Sequence, residues 1–239
     1  MQPLQIICSD DQLIDAAKAC SQLLSIPILS SPSEDSYLCF KEGEITFISP
    51  QQLSFQHSFN NNNFERRAQA QNQHLLKAFK DKKKPIRHIL DATAGWCRDS
   101  FILANNNFQV TATEQSALLY FLVQFSLNNY LKTNSLNLEL QHSNAFDLLT
   151  LSKTSFQAIY LDPMFPNSHN QAKNKKEIQV LQHVTKNIEI ETLFELALKK
   201  ATQRVVVKRP LQSDYLAQLK PHFQYKGKTI RFDIYQQFN

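Results

Sequence analysis

The pattern of apolar and polar residues changes after residue 85. From there on, short apolar runs alternate with longer segments in which apolar residues recur every three or four positions, as on one face of a helix. The predicted strands are 86–91, 108–113, 138–142, 156–161 and 204–208, and the predicted helices are 98–104, 115–130, 144–151 and 190–201. Strands separated by helices at this spacing are typical of βαβ units, so the pattern predicts an α/β fold with a mostly parallel sheet.

The end of the chain predicts a departure from the parallel arrangement. Gly227 lies within a run rich in strand-forming residues, 223–235, and divides it into two halves. Such a pattern is typical of a hairpin. We therefore expect an antiparallel hairpin at the edge of the otherwise parallel sheet.

The first 85 residues predict a separate small unit. Their predicted elements are a strand at 4–8, a helix at 11–24, a hairpin at 37–48 around Gly43 and a helix at 64–80. A lysine-rich run, 81–85, follows and ends in proline, which is typical of a linker. The expected organisation is an N-terminal α+β subdomain at 1–85 followed by a main domain at 86–239.

Charge is distributed unevenly along the chain. The 239 residues carry a formal net charge of +5, but residues 1–85 contain equal numbers of acidic and basic side chains. Residues 163–231 contain 13 Lys and Arg against 5 Asp and Glu, a net of +8. A basic block of this kind indicates a polyanionic partner, with RNA or DNA the first choice, although a solvated basic surface has the same composition.

Several classes of protein are not indicated. The first residues lack the basic and apolar regions of a secretory signal, and the longest apolar run, 117–123, is much too short to span a membrane. The four cysteines form no CxxC pair, and no His/Cys group has the spacing of a zinc site. We expect a cytoplasmic protein with reduced cysteines, no bound metal, no membrane contact and no obligate protein partner.

Acidic residues end three of the predicted parallel strands. Asp91, Glu114 and Asp162 each follow an apolar run, and ligands of parallel sheets bind where the carboxyl ends of the strands meet. Glu114 lies 23 residues after Asp91, a spacing that suits an acid binding the ribose hydroxyls of an adenosine cofactor. Gly95 lacks a Cβ and would let the backbone approach that ligand. The alternative is that these acids only cap strand ends, which is common in α/β proteins.

The loop after the first of these strands favours a cofactor without a pyrophosphate. It contains one glycine, Gly95, and the chain has neither GxGxxG nor a GKS/T phosphate loop. S-adenosylmethionine, which consists of an adenosine, a sulfonium and an amino-acid tail, fits such a loop. Arg98 is placed to pair with the tail carboxylate and Asp99 with the tail ammonium, or the two residues form an ion pair at the start of a helix.

Asn144 and Ala145 follow the predicted strand at 138–142. An amide side chain and a backbone N–H at this point are suited to reading the edge of adenine. Asn is equally a frequent N-cap residue, so the same pair also fits an ordinary helix start.

The segment Asp162-Pro163-Met164-Phe165-Pro166 is the strongest candidate for catalysis. The exocyclic amino group of a base is a poor nucleophile because its lone pair is delocalised into the ring. Catalysis therefore needs acceptors for its hydrogens and a fixed ring plane. Asp162 and the carbonyl of Pro163 are the predicted acceptors, and the ring of Phe165 is the predicted stacking face. The alternative is an ordinary turn that ends a strand.

Two groups of basic residues near this segment are candidate RNA contacts. Lys173, Lys175 and Lys176 lie in the polar stretch that follows it, and Lys208 with Arg209 ends the next predicted strand. Both groups are predicted to bind phosphates. Each fits a solvated surface equally well.

Six stretches between residues 91 and 235 carry a resemblance to a known family. They are Asp91-Ala92-Thr93-Ala94-Gly95, Arg98-Asp99, Tyr160-Leu161-Asp162-Pro163-Met164-Phe165-Pro166, Lys175-Lys176-Glu177, Arg204-Val205-Val206-Val207-Lys208-Arg209-Pro210 and Arg231-Phe232-Asp233-Ile234-Tyr235. In these stretches the chain resembles the bacterial ribosomal RNA small subunit methyltransferase J family. The resemblance covers roughly 86–235, whereas residues 1–85 match only in layout.

That resemblance implies a class I methyltransferase fold, which is Rossmann-like. It implies S-adenosylmethionine-dependent methylation of N2 of guanosine 1516 in 16S rRNA, either on the small ribosomal subunit or on its free RNA. The cofactor contacts that it implies are Arg98, Asp99, Glu114, Gln115, Asn144, Ala145 and Asp162.

The chain departs from the family pattern in three places. The family's cofactor loop usually reads Gly-Leu-Gly-Arg-Asp, but Trp96 and Cys97 replace the middle pair, so the loop must turn without a second glycine. Gln115 stands where the family has arginine, and Asn144 and Ala145 stand where it has two serines. An asparagine tract replaces the glycine-rich stretch before the main domain. The two strand-end carboxylates with assigned roles are kept, so we expect activity to be retained.

Two other functions stay open from the residues alone. The Asp-Pro-Met-Phe string resembles the loops of amino-methylating enzymes in general, so a methyltransferase for adenine in DNA or for a small molecule is one alternative. The other is a non-catalytic RNA-binding protein on a methyltransferase scaffold, because Cys97 and Ala145 replace family residues. Analysis of the methylated base tests the first alternative, and a cofactor-binding titration tests the second.

Overall fold

The structure, a computed structural model, describes residues 4–60, 73–81, 83–151, 154–163 and 189–237. Contacts between Cα atoms divide these residues into two compact units. The first unit contains 4–58 and 116–129, and the second contains the other described residues. Each unit has a sheet of its own.

The sheet of the first unit has five strands. They are β1 Leu4–Cys8, β2 Ile28–Leu29, β3 Ser36–Lys41, β4 Glu44–Ile48 and β5 Ser54–Gln56, and helix α1 is Ile14–Leu24. The strand order is β2-β1-β3-β4-β5, with β1 parallel to both neighbours and the remaining pairs antiparallel. The predicted strand, helix and hairpin of this region are confirmed. Strands β2 and β5 were not predicted, because runs of two and three residues are too short to show a period of two.

The sheet of the second unit has seven strands. They are β6 His88–Asp91, β7 Gln109–Glu114, β8 Leu138–His142, β9 Phe156–Leu161, β10 Ala201–Pro210, β11 Phe223–Lys226 and β12 Ile230–Gln236. The order is β11-β12-β10-β9-β6-β7-β8. The pairs from β10 to β8 are parallel, and β12 pairs antiparallel with both β10 and β11. The predicted mostly parallel sheet with a terminal antiparallel hairpin is therefore confirmed.

The described helices after residue 60 connect these strands. They are α2 Gln73–Phe79, α3 Arg98–Asn105, α4 Ala117–Leu131, α5 Ala145–Leu151 and α6 Ile190–Lys200. The ends of α3 to α6 lie within two residues of the predicted ends, and the helix predicted at 64–80 is described only from residue 73. None of the helices in the described part of the chain is long and apolar enough to cross a membrane.

The two units are divided differently from the predicted boundary at residue 85. Phe59 belongs to the second unit, where its ring stacks on Phe101 with 5.1 Å between the centroids. The stretch 116–129 groups with the first unit, where Phe121 lies 6.3 Å from Phe40. The apolar sequence of a helix predicts that the helix is buried, but it does not predict which of two sheets the helix packs against. The discontinuous grouping therefore needed the tertiary structure.

Packing around the parallel sheet holds its strands rigidly. Helix α6 directs Leu193, Phe194 and Ala197 into the core, and the ring of Phe194 lies 4.8 Å from that of Tyr235 on β12. Burial of an apolar side chain of this size stabilises the folded state by about 1.5–3 kcal/mol. Well-packed strands give the loops at their carboxyl ends fixed starting points.

The order of the strands defines where a ligand would bind. Strand β6 lies in the sheet between β7 and β9, so the chain leaves β6 on one side and returns on the other. Such a reversal is a topological switch point, and it opens a crevice at the carboxyl ends of the strands. The residues that follow β6, β7 and β9 therefore converge on one place.

Candidate active site

Asp91 forms hydrogen bonds that stabilise the loop after β6. The backbone N–H of Thr93 donates to one carboxylate oxygen of Asp91 at 3.1 Å, and the hydroxyl of Ser100, in the first turn of α3, donates to the other. Asp91 is 2% exposed. Asp91 ends a strand as predicted, and its two carboxylate oxygens join the loop after β6 to the start of α3.

Burial raises the pKa of Asp91 to about 7. The hydrogen bonds from Ser100 and Thr93 oppose this rise, and the charges of Asp99 and Asp162 add to it. The folded chain therefore binds a proton at Asp91 more tightly than the unfolded chain, whose carboxyl has the ordinary pKa of 3.8. Stability from this group is present at acidic pH and is lost as the pH rises toward 7.

We expect the substitution Asp91→Asn to stabilise the protein at pH 8. Asparagine removes the buried charge, still accepts from the N–H of Thr93 and can donate to Ser100, so the free energy of unfolding should rise by roughly 1–3 kcal/mol. Urea unfolding at pH 8 and pH 5 measures this, and the difference from the wild type should shrink at pH 5. A variant that is less stable at pH 8 would mean that the ionised carboxylate is net stabilising.

Gly95 gives the cofactor loop its turn and leaves space beside it. Its φ is +51°, in the left-handed region, and a Cβ built there would have no neighbour within 4 Å among the described atoms. The backbone N–H of Gly95 donates to a carboxylate oxygen of Glu114 at 3.0 Å. The loop backbone is thus anchored to the end of β7 and borders open space.

Cys97 explains how the loop turns without a second glycine. Its φ is +53°, which is left-handed, and it is the residue immediately before α3. A non-glycine residue in this conformation costs about 1–2 kcal/mol. The side chain is fully buried, and burial raises the pKa of its thiol well above the usual value. The loop therefore turns at a non-glycine residue, at the cost of local strain.

Glu114 ends β7 where the sequence predicted a ribose-binding acid. It is 8% exposed, and besides its bond to Gly95 its backbone carbonyl accepts from the N–H of Ser143 at 3.2 Å. The carboxylate of Glu114 is thus bonded to the loop after β6, and its backbone is bonded to the loop after β8. Gln115 follows directly, before α4 begins.

Asn144 caps helix α5. Its side-chain oxygen accepts from the N–H of Phe146 at 2.9 Å, and its carbonyl accepts from the N–H of Leu148 at 3.0 Å. Asn144 was predicted either to read adenine or to cap a helix, and in the structure its side chain forms the N-cap. Ala145, the first residue of the helix, is buried. Contacts of this pair with adenine stay a prediction.

Asp99, Tyr160, Asp162 and Lys208 form one charged network at the crevice. The ammonium of Lys208 donates to Asp99 Oδ2 and to Asp162 Oδ2, each at 2.8 Å. The hydroxyl of Tyr160 donates to the same Oδ2 of Asp99 at 2.6 Å. In addition, the N–H of Asp162 donates to Thr93 Oγ1 at 2.6 Å, which joins the end of β9 to the cofactor loop. The start of α3 and the segment after β9 are therefore linked by side chains.

Electrostatic interactions within this network favour the ionised forms of Asp99 and Lys208. Burial alone would raise the pKa of Asp99, but the charge and hydrogen bonds of Lys208, the hydroxyl of Tyr160 and the charge of Arg98 lower it below the usual value. Burial alone would lower the pKa of Lys208, and the carboxylates of Asp162 and Asp99 raise it above the usual value. Burial and the neighbouring carboxylates also raise the pKa of Tyr160, so its hydroxyl stays a donor.

Lys208 and Arg209, both predicted to bind RNA phosphates, make contacts within the protein, and their binding of phosphates stays a prediction. Lys208 is engaged by two carboxylates of the crevice. Arg209 is 8% exposed, and its guanidinium donates to the carbonyl of Asp214 at 2.7 and 3.1 Å and to Ser213 Oγ at 3.2 Å. Arg209 therefore holds the loop after β10, and Lys208 is part of the site. The side chains of Lys208 and Arg209 point in opposite directions because adjacent side chains of a strand point to opposite faces of the sheet.

Sequence reasoning missed the link between Lys208 and Asp162, although a signal for it exists. In the parallel pair of β9 and β10, Leu161 is the partner of Val207, so the next residues along each strand are neighbours. A lysine and an aspartate at matching positions of adjacent parallel strands predict an ion pair. No comparable pattern in the sequence indicates the hydrogen bonds of Tyr160 and Thr93.

Four predicted residues lie outside the part of the chain that the structure describes. They are Phe165, Lys173, Lys175 and Lys176. Arg98 is described as the exposed first residue of α3, next to Asp99. The described site therefore comprises the cofactor loop, the end of β7, the start of α5 and the residues at the ends of β9 and β10.

The described residues fit S-adenosylmethionine. Glu114 offers a carboxylate for ribose hydroxyls, the open side of Gly95 admits a ligand against the backbone, and Asp99 offers a carboxylate near the start of α3. No group of three or more His, Cys, Asp or Glu side chains within the described ranges is placed to hold a metal ion. A cofactor with an adenosine and a charged amino-acid tail matches this set of donors and acceptors.

Comparison with known proteins identifies the family. A family model described as "Putative SAM-dependent methyltransferase" matches residues 26–237. A relative from Francisella philomiragia, named ribosomal RNA small subunit methyltransferase J, is 35% identical over 169 residues, which are 67% of this chain and 70% of the relative. The chain belongs to the ribosomal RNA small subunit methyltransferase J family.

Other members of the methyltransferase group agree with this assignment. A ribosomal RNA small subunit methyltransferase J from Desulfotalea psychrophila is 37% identical over 153 residues, 62% of this chain and 59% of that protein. The crystal structure of a SAM-dependent methyltransferase from Neisseria gonorrhoeae superposes with a TM-score of 0.76 and 25% identity, covering 97% of this chain and 95% of that one. The predicted class I methyltransferase fold and the cofactor S-adenosylmethionine are thereby confirmed.

Proposed function

We propose that this chain methylates N2 of one guanosine in the 16S rRNA of the small ribosomal subunit, in the cytoplasm, with S-adenosylmethionine as methyl donor. The names of its relatives support the RNA substrate. The single observation that carries the proposal is the position of Asp162. Its carboxylate follows β9 at the switch point, and its backbone is bonded to the cofactor loop through Thr93 at 2.6 Å.

The position of Asp162 suits the activation of an aromatic amino group. When bound, S-adenosylmethionine would supply an electrophilic methyl group, whose bond to sulfur breaks as the bond to the guanine nitrogen forms, so that S-adenosylhomocysteine leaves. The carboxylate of Asp162 and the carbonyl of Pro163 accept hydrogen bonds from the amino group of guanine, which turns its lone pair out of conjugation and gives its proton an acceptor. Phe165 is proposed to stack on the base and fix its plane.

The proposed cofactor contacts divide by the part of the cofactor that each would hold. Glu114 binds the ribose hydroxyls, and the backbone at Gly95 lies along the ligand. Arg98 and Asp99 hold the carboxylate and the ammonium of the amino-acid tail. The remaining proposed contacts are Gln115, Asn144 and Ala145, beside the adenine, and Asp162 at the end of β9.

The proposed RNA contacts rest on charge. The block 163–231 has a net charge of +8, which favours binding of a polyanion. Lys173, Lys175 and Lys176 are proposed to bind phosphates around the target base. A base within a folded RNA would first have to be turned out of its stack.

The test is methyl transfer to defined RNA. The purified chain is incubated with S-adenosylmethionine carrying a labelled methyl group and with small subunits, or their free 16S rRNA, from cells that lack this modification. We expect label in one guanosine, recovered as N2-methylguanosine after nuclease digestion. Comparing the two substrates shows whether free RNA or the assembled particle is used.

Other outcomes would select a different function. Label in adenine of added DNA, with none in RNA, would favour the amino-methyltransferase for DNA. Binding of 16S rRNA with neither label nor cofactor affinity would favour a non-catalytic RNA-binding protein. Label in no nucleic acid at all would remove the proposal.

A further inference from the structure

Lys208 lies between the start of α3 and the segment that follows β9. It is near the carboxyl end of β10, and its side chain is 23% exposed. The register of β9 and β10 pairs Val207 with Leu161, which brings Lys208 beside Asp162. The position of this lysine is therefore set by the sheet and not by a loop.

Lys208 contacts two carboxylates, one for each of the two ligands of the proposed reaction. One carboxylate that it binds, Asp99, belongs to α3, where the tail of the cofactor is proposed to lie. The other, Asp162, is the proposed acceptor for the amino group of guanine. Both distances are 2.8 Å, which is the range of strong, charge-assisted hydrogen bonds.

The hydroxyl of Tyr160 completes the arrangement. It donates to Asp99 Oδ2, the oxygen that Lys208 also binds, so this oxygen accepts two hydrogen bonds from protein donors. Two donors on one oxygen fix the plane of the carboxylate. Its orientation then depends on β9 and β10 together.

We propose that Lys208 is a positioning residue that couples cofactor binding to methyl transfer, by fixing Asp99 toward the cofactor tail and Asp162 toward the guanine amino group. The proposal rests on the proposed function, since it assigns the two carboxylates to the two ligands. Lys208 itself touches neither ligand in this role. Its ammonium keeps the carboxylates of Asp99 and Asp162 close together, and without it their mutual repulsion would separate them.

The alternative role, a phosphate contact, does not use these contacts. A lysine bound to two carboxylates would have to leave both before it could bind a phosphate of the RNA. The basic block offers described lysines that are exposed, among them Lys220, Lys226 and Lys228. Phosphate binding therefore has better candidates than Lys208.

The experiment uses Lys208→Gln, Lys208→Arg and a matched control, Lys200→Gln. Lys200 is the last residue of α6, directly before β10 begins, and is exposed. Affinity for S-adenosylmethionine is measured by calorimetry, kcat with the RNA substrate is measured at saturating cofactor, and thermal unfolding reports the fold.

We expect Lys208→Gln to weaken cofactor binding about tenfold and to lower kcat by about 10²-fold, because both carboxylates lose their fixed positions. Lys208→Arg should recover a substantial part of both losses, since a guanidinium can still bind two carboxylates. Lys200→Gln should resemble the wild type in affinity and fold.

The pH dependence of cofactor binding provides a further readout. The charged and titratable groups around Asp99 are Lys208 on β10, Tyr160 on β9, Arg98 on α3 and the carboxylates of Asp162 and of Asp91 on β6. Removing the ammonium should move the acidic limb of cofactor binding to higher pH, because Asp99 then holds its proton more tightly. A purely structural lysine would lower the unfolding temperature without moving this limb.

A double-substitution cycle tests whether Lys208 acts through Asp99. In the Asp99→Asn background, adding Lys208→Gln should change cofactor affinity by less than about twofold. Additive losses of affinity would overturn the proposal. So would a Lys208→Gln variant with normal cofactor affinity and kcat but a reduced salt dependence of RNA binding, since that result identifies a phosphate contact.

The two proposals fail in different ways. If the wild type methylates no RNA, the proposed function fails, while the cofactor arm of the cycle still decides whether Lys208 positions Asp99. If the wild type methylates its guanosine and Lys208→Gln does so at the same rate, only the role of Lys208 is overturned.

Discussion

Asp162→Asn should lower kcat by about 10³-fold while leaving cofactor binding nearly intact, which corresponds to about 4 kcal/mol of transition-state stabilisation. Asparagine has the size and shape of aspartate, and its backbone N–H can still bind Thr93, so the segment after β9 keeps its position. What is lost is the negative charge that accepts hydrogens from the guanine amino group. Single-turnover kinetics with saturating cofactor measure the loss.

A matched control separates this effect from a general loss of acidity. Asp214 is an exposed acid in the loop after β10, and Arg209 binds its backbone carbonyl, which the substitution Asp214→Asn leaves in place. The control should keep the wild-type kcat. If Asp162→Asn instead lowers the unfolding temperature sharply and kcat falls only in proportion to the folded fraction, the carboxylate is structural.

Glu114→Ala should weaken the binding of S-adenosylmethionine by about 100-fold, or about 2.7 kcal/mol. The substitution removes the acceptor for ribose hydroxyls and also releases the N–H of Gly95, which donates to Glu114 at 3.0 Å. The cofactor loop thereby loses its anchor to β7. At saturating cofactor kcat should change little, because the interaction is made equally before and during methyl transfer.

Two further variants define the cause of this loss. Glu114→Gln keeps an oxygen for Gly95 but removes the charge, so it should weaken binding by an intermediate, about tenfold, factor. Glu139→Gln replaces an exposed glutamate on the neighbouring strand β8 and should leave affinity unchanged. Calorimetry with the cofactor measures all three. An unchanged affinity in Glu114→Ala would show that the ribose is bound elsewhere.

Much of the fold was predictable from local patterns. Period-two and helical runs gave the parallel strands and the helices α3 to α6 with ends near their true positions, because these segments are long enough to show their period. The parallel arrangement then placed Asp91, Glu114 and Asp162 at one edge of the sheet. Their separate contacts did not follow from the pattern, because Asp91 binds Thr93 and Ser100 whereas Glu114 binds the backbone of Gly95.

The departures from the family pattern also needed coordinates to interpret. The sequence showed that Cys97 replaces a glycine, and the structure shows that it keeps a glycine-like φ of +53°. The sequence left Asn144 between two roles, and the geometry of α5 contains the cap. In both cases the sequence left the local geometry open and the coordinates supply it, whereas a contact of Asn144 with adenine stays a prediction.

The amino-acid sequence by itself determined the fold class through local periodicity, and it indicated the cofactor through the single-glycine loop and the resemblance to a family. The rule that ligands of parallel sheets bind at the carboxyl ends of the strands predicted the edge of the sheet for the site. Only the tertiary structure decided that Lys208 binds Asp99 and Asp162 while its neighbour Arg209 holds a loop on the opposite face. It also decided that most of α4 groups with the first unit. The physical reason is that both outcomes depend on contacts between residues far apart in the chain, which a local pattern does not encode.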